Sequence, residues 1–295
     1  LKKIGSVKFF DEKKCNLAEF LSDRNIIFVR LKYYLGKELL KEARQLKYIC
    51  SPTTGHNHID CEYLNSKKIN LISLKNEYQF LTTIRATPEH TFGLVLSLLR
   101  NYKFAFCGDV QGFSDRESYK GEEIYQKNIG IIGFGRVGQI ISKYFISFGA
   151  NVAFYDIKDV NYSDYIKRID TLELLIESSD VIILCASYSV DNIGMINEKM
   201  LDLLQGKYFI NTARGELIDE EKMLEKIQSD HFKGLALDVL SSENGSHNLN
   251  TIRQYSKTKN IIITPHIAGV TYESMSKTEE FIVQKLNNTL KLKYE

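Results

Sequence analysis

From residue 127 onward, short runs of β-branched residues alternate with longer stretches of helical periodicity, and this alternation restricts the chain to βαβ units on a parallel sheet. Strands are predicted over 128–132, 151–156, 180–185, 207–211, 233–238 and 260–264, six in all and enough for a doubly wound sheet. Between the first two, Val137, Ile140, Ile141, Tyr144, Phe145 and Phe148 recur at helical spacing and give one apolar stripe. The N-terminal third has its own alternation. A strand is predicted over 26–30, a helix carrying Leu35, Leu39, Leu40, Ala43 and Leu46, and strands over 48–51 and 69–73. A second, smaller α/β domain accounts for it. A long helix follows to about Asn101, with Thr87 expected as its N-cap and Pro88 at its first position. Residues 102–126 mix aromatics with Gly108, Gly112 and Gly121, show no period, and read as a connecting arm that packs on another subunit. After the sixth strand, 272–291 is again amphipathic.

Composition narrows the function. The 39 Lys and Arg against 37 Asp and Glu leave a net charge of +2, which lacks the basic footprint of a nucleic-acid binder. No apolar run approaches a membrane span and no secretory leader opens the chain, so a cytoplasmic protein acting on a small molecule is expected. Cys15, Cys50, Cys61, Cys107 and Cys185 are odd in number and widely spaced, and read as reduced, mostly buried thiols.

Gly133-Phe134-Gly135-Arg136-Val137-Gly138 fits G-x-G-x-x-G, leaves a predicted strand and opens a predicted helix. Glycines there give a tight turn, backbone approach to a pyrophosphate and a helix N-terminus to receive it. Asp156, 18 residues past Gly138, closes the second strand where a carboxylate accepts from ribose hydroxyls and repels a 2′-phosphate, so NAD is the expected cofactor. Three polar loops open on the same edge of the sheet, one after each of strands four, five and six. They carry Arg214, Glu243 and His266, separated by 29 and 23 residues. Arginine offers a planar fork for a carboxylate and histidine exchanges a proton near neutrality, while a glutamate holds and charges that imidazole. His56 and His58 stand two apart but lack further ligands at metal spacing, so no metal is expected. His90, His231 and His247 show no partner in the sequence and read as surface residues.

Asn211-Thr212-Ala213-Arg214-Gly215-Glu216-Leu217-Ile218-Asp219-Glu220, Leu237-Asp238-Val239 with Glu243, and Thr264-Pro265-His266-Ile267-Ala268-Gly269 closely resemble the signatures of the D-isomer-specific 2-hydroxyacid dehydrogenases, in spacing the phosphoglycerate and glycerate dehydrogenase branch. Gly55 to Asp60 is similar to the family's substrate loop and Ala86 to Arg100 to its interdomain helix. The resemblance implies a Rossmann domain inserted in a smaller flavodoxin-like α/β substrate domain, divided as 1–100, 101–269 and 270–295, with the active site in the cleft between them. It also implies a homodimer. Arg214 would then take the substrate carboxylate and carbonyl, Glu243 the histidine, and His266 the acid/base role. Arg136, Val137, Asp156, Ala213 and Asp238 would lie at NAD, and the backbone of Thr54 and Gly55 at the substrate carboxylate. Arg30 and Lys32 stand where phosphoglycerate dehydrogenases place basic residues toward the substrate. The expected activity is interconversion of a 2-keto acid and a D-2-hydroxy acid. A dinucleotide-sensing corepressor on the same scaffold is the alternative. Two departures stand out: Cys185-Ala186-Ser187-Tyr188-Ser189 replaces the family's His-x-Pro-Leu-Thr, and Asn244 replaces the proline after the glutamate.

Overall fold

The computed structural model describes residues 1–107, 113–241 and 247–291. It divides into two compact units, one of residues 1–83 with 271–295 and one of residues 84–270, so the second is inserted in the first.

The first unit runs α1 (Leu17–Leu21), β1 (Ile26–Phe28), α2 (Lys37–Leu40), β2 (Tyr48–Ser51), α3 (Cys61–Ser66), β3 (Asn70–Ser73) and α4 (Tyr78–Leu81). Its strands form a parallel sheet in the order β1-β2-β3. The helix expected across Leu35 to Leu46 is only the single turn α2; Ala43 and Leu46 follow in tight turns whose amides bond back three residues, to Leu40 and Ala43. Leu35, Leu40, Ala43 and Leu46 are nonetheless core residues. Apolar spacing marked the buried positions correctly and the helix length wrongly.

The second unit begins with α5 (Ala86–Leu99) and α6 (Tyr102–Cys107). Arg85, not Thr87, is the N-cap of α5, and Pro88 is its third residue. Proline is accommodated there because the amides of a helix's first turn have no intrahelical acceptor. The stretch read as an arm contains α6 and a 3-10 turn at Phe113–Tyr119; Gly108 and Gly112 lie outside the described residues. Then come β4 (Asn128–Ile132), α7 (Arg136–Ser147), β5 (Asn151–Tyr155), β6 (Ile166–Arg168), α8 (Leu172–Glu177), β7 (Val181–Leu184), α9 (Glu198–Leu203), β8 (Tyr208–Asn211), α10 (Glu220–Gln228), β9 (Gly234–Leu237), α11 (His247–Ser256) and β10 (Ile261–Ile263). Seven parallel strands order as β10-β9-β8-β7-β4-β5-β6. The six predicted strands are present, and β6 is an additional edge strand of three residues whose only buried side chain is Ile166.

Side chains alternate across this sheet with period two, and both faces are covered. Ile129, Ile131, Val181, Ile183 and Ile210 pack with Leu94, Val95 and Leu98 of α5 and Ile141 and Phe145 of α7. Ile132, Ile182, Leu184, Phe209, Leu235 and Leu237 pack on the other face with Leu175, Leu201, Met223 and Ile252. Phe148, expected on the α7 stripe, lies just past the helix and is 53% exposed. The last helix, α12 (Tyr272–Lys291), belongs to the first unit, where Phe281 stacks on Phe80 at 4.0 Å and Lys285 donates to Ser73 O at 3.1 Å and pairs with Glu77. Among the described residues no helix is long and apolar enough to cross a membrane. Cys50 is buried, Cys15, Cys61 and Cys185 are half-buried, and none of the four is in a disulfide.

Glu122 fastens the segment between α6 and β4 to the sheet. Its carboxylate pairs with Lys127 and Lys233 and accepts from the Tyr208 hydroxyl at 2.9 Å. Burial pushes this carboxyl up, and the two ammonium groups with the hydroxyl outweigh it, taking its pKa from 4.5 down to about 2. Since the folded value is the lower one, the stabilisation is present above pH 4.5 and lost as the pH falls toward 2. Glu122→Gln is expected to lower the Tm at neutral pH, with the gap to the parent closing across that window in differential scanning calorimetry.

Candidate functional site

One row of register-paired residues crosses the large sheet: Tyr155 with Ile132, Ile132 with Leu184, Leu184 with Asn211, Asn211 with Leu237, and Leu237 with Ile263. The next residue on each strand is therefore Asp156, Gly133, Cys185, Thr212, Asp238 and Thr264. Every motif singled out in the second unit begins at that edge, with neighbours about 4.8 Å apart. The chain reverses its direction of travel along the sheet between β4 and β7, the place where open α/β sheets bind ligands.

The Gly133 turn has the shape a dinucleotide requires. Gly133 sits at φ +88°, and a Cβ there would stand 2.6 Å from the Ala186 backbone. A Cβ on Gly138 would stand 2.5 Å from Gly133 O, so this glycine lets α7 seat against the turn. By contrast, a Cβ on Gly135 would meet open space, and Gly135 gives the N-terminus of α7 no side-chain cap. Open space beside the first turn of a helix leaves room for a pyrophosphate at its N-terminus. Asp156 braces the turn, accepting from Phe134 N at 2.7 Å and Lys158 N at 2.8 Å. The Arg136 guanidinium instead turns to Ile84 O at 3.1 Å. Burial pushes the Cys185 thiol up to about 12, partly offset by Arg136.

Buried Asn211 shapes the loop after β8, donating to Arg214 O and accepting from Ala213 N, both at 2.9 Å. The Arg214 guanidinium donates to Ala213 O at 2.6 Å. A Cβ on Gly215 would stand 2.0 Å from the Leu240 carbonyl carbon, so only glycine lets the loops after β8 and β9 touch through their backbones.

Asp238 organises the loop after β10. Its buried carboxylate accepts from Thr264 Oγ1 at 2.6 Å and from Ile267 N and Ala268 N at 2.9 Å each, while its carbonyl accepts from His266 N at 2.9 Å. Burial pushes the carboxyl up, but His90, Thr264 and the two amides outweigh it and hold its pKa below the ordinary 3.8. His266 takes φ +53°, a left-handed conformation costing a non-glycine residue about 1 kcal/mol or more, and these four bonds hold it there.

Glu243 and Asn244 lie outside the described residues. Glu220, missed by the sequence reading, binds both flanks of that segment: its carboxylate accepts from Ser241 N and Oγ at 2.7 Å and from Asn248 Nδ2 at 2.9 Å. His90 was also missed. Its Nε2 lies 3.2 Å from Thr264 Oγ1, and His231 likewise finds Leu201 O at 2.8 Å. Helical position tells nothing of such long-range partners. The side chain of His247 lies outside the described residues.

In the first unit, Thr53 Oγ1 donates to Gly55 O at 3.0 Å and shapes the Thr54-Gly55 turn. His58 is buried against Ser51 Oγ at 3.3 Å. Arg30 is ion-paired with Glu279 at 2.7 Å and Lys32 with Glu12 at 2.7 Å. An anionic substrate end would have to compete with those carboxylates.

Residues 92–268 match the family described as D-isomer specific 2-hydroxyacid dehydrogenase, NAD binding domain. The chain is 28% identical over 283 residues to a D-3-phosphoglycerate dehydrogenase of Methanocaldococcus jannaschii, covering 94% of this chain and 52% of that relative, about half its length. It is 26% identical over 275 residues to a hydroxypyruvate reductase of Thermotoga maritima, covering 93% and 87%. A crystal structure of D-lactate dehydrogenase from Aquifex aeolicus complexed with NAD and lactic acid superposes with a TM-score of 0.82 at 28% identity, over 98% of this chain and 90% of that one. NAD is thus the cofactor of this NAD-binding domain. A carboxylate at Asp156 facing a 2′-phosphate is repelled, so NADH is expected to bind at least ~10-fold tighter than NADPH, ~1.4 kcal/mol. In fluorescence titration, Asp156→Ser should narrow that gap chiefly by weakening NADH.

Proposed function

Because the chain belongs to the D-isomer-specific 2-hydroxyacid dehydrogenase family, we propose that it interconverts a 2-keto acid and a D-2-hydroxy acid, with a short acid of the glycerate or phosphoglycerate type as substrate. Bound NAD supplies or takes up the hydride. The chain's own residues bind, orient and move the proton. Arg214 presents its guanidinium fork to the substrate carboxylate and carbonyl, lowering the energy of the charge that develops on that oxygen. His266 gives the oxygen its proton in reduction and removes it in oxidation, and Glu243 stabilises the imidazolium form. The Thr54 and Gly55 backbone amides take the carboxylate.

The observation that carries this reading is the common row of Asn211, Leu237 and Ile263, which launches the Arg214 and His266 loops from positions two strands apart on the edge that also bears the Gly133 turn. The activities of two relatives support the substrate type: D-3-phosphoglycerate dehydrogenase and hydroxypyruvate reductase.

Purified protein with NADH and a panel of hydroxypyruvate, phosphohydroxypyruvate, glyoxylate and pyruvate should lose NADH absorbance with at least one of them. NADH binding without turnover on any would overturn the reading in favour of a dinucleotide-sensing interaction protein. Arg214→Lys is expected to lower kcat/KM at least ~10-fold despite conserving charge, since an ammonium cannot make two parallel bonds. The homodimer that the family resemblance implies is tested by light scattering, which should return twice the chain mass. A monomeric mass would refute the dimer.

A further inference from the structure

Two consecutive residues of α5 reach the loops that carry Arg214 and His266. Thr91 Oγ1 lies 2.8 Å from Thr212 Oγ1. His90 Nε2 lies 3.2 Å from Thr264 Oγ1 and 3.5 Å from Asp238 Oδ1. The direction of these bonds follows from proton inventory. The Asp238 carboxylate has no proton to give, so Thr264, 2.6 Å away, must donate its only one to it. Thr264 Oγ1 can then only accept from His90, and Nε2 must carry a hydrogen. That hydrogen is present in one neutral tautomer and in the imidazolium alike, so the bond does not depend on the charge of His90. It is shielded from water, because the His90 side chain is 21% exposed and that of Asp238 is 0% exposed.

We propose that His90 is a positioning residue for His266, acting through Thr264 and Asp238; this rests on the reading of His266 as the acid/base group. Thr264 and Asp238 form the base of the turn that holds His266 at φ +53°. A buried carboxylate accepts every donor in reach. With the His90 donor removed, Thr264 and Asp238 lose the contact that fixes their side chains from the α5 side, and the two amides at Ile267 and Ala268 follow. Small displacements of an acid/base group are costly, a 1 Å misplacement reaching about 10²-fold in rate. Since neither His90 nor Asp238 is assigned to the substrate, the effect falls on kcat and spares substrate KM.

Three variants separate this role from ring packing. His90→Phe and His90→Leu fill the site without a donor, whereas His90→Gln places an amide N–H near the position of Nε2. With the keto acid the parent reduces, at saturating NADH, H90F and H90L are expected to lose at least ~10-fold in kcat, with KM for the acid within about twofold of the parent; H90Q should stay within about threefold. Amide hydrogen exchange on the NADH-bound protein supplies a readout independent of turnover: Ile267 and Ala268 should exchange faster in H90F and H90L and at the parental rate in H90Q. Parental exchange at both amides in H90F and H90L, or an H90Q indistinguishable from them, overturns the proposal. A parent that turns over no keto acid overturns the reading of the activity, and the exchange comparison still decides the role of His90.

Discussion

The common register of the strands is the constraint on which the rest depends. Parallel pairing brings Tyr155, Ile132, Leu184, Asn211, Leu237 and Ile263 into one row, and hydrogen-bond geometry fixes the spacing along it. A slip of one residue at β8 or β10 would turn every buried side chain of that strand to the opposite face and carry Arg214 or His266 out of line. The hydrophobic contacts on both faces, Ile183 and Ile210 toward α5 and Leu184 and Phe209 toward α9 and α10, are thus what holds the polar loops in place. Chemistry at the edge is purchased with packing in the middle.

Beyond the row, precision comes from three buried polar groups that each hold a loop in shape. Asn211 closes the loop of Arg214, Asp238 closes that of His266, and Glu220 binds Ser241 and Asn248. Each would be expensive to bury alone. Each is saturated by donors that only the folded loop supplies, so the cost of burial becomes a penalty on any other loop conformation.

Much of this was legible in the sequence, and for identifiable reasons. The six predicted strands were visible because apolar residues run through them with little interruption, Leu-Ala-Leu in β9 and Ile-Ile-Ile in β10, while β6 was invisible because Ile-Lys-Arg carries a single apolar side chain. The glycine turn was legible because Gly133 and Gly138 answer local steric demands. Asp238 was placed at the cofactor by resemblance, and what the structure shows of its carboxylate is its engagement with the turn of His266. His90 and Glu220 were illegible: their partners lie 174 and 21 residues away, and nothing in helical periodicity marks a residue for the atom it will meet. The helix over Leu35 to Leu46 failed differently, because burial at helical spacing is also met by a chain of tight turns.

The return of α12 to the first unit has a consequence for biosynthesis. Domains form as units during translation, from the N-terminal end onward. Here residues 1–83 must wait for a segment made after the inserted unit: Phe80 lacks its stacking partner until Phe281 is made, and Glu77 lacks Lys285. The unit spanning 84–270, by contrast, has every strand of its sheet in hand before α12 is synthesised. The order of assembly therefore inverts the order of these segments, the inserted unit closing first and the sheet of the first unit being sealed only by the helix made after it.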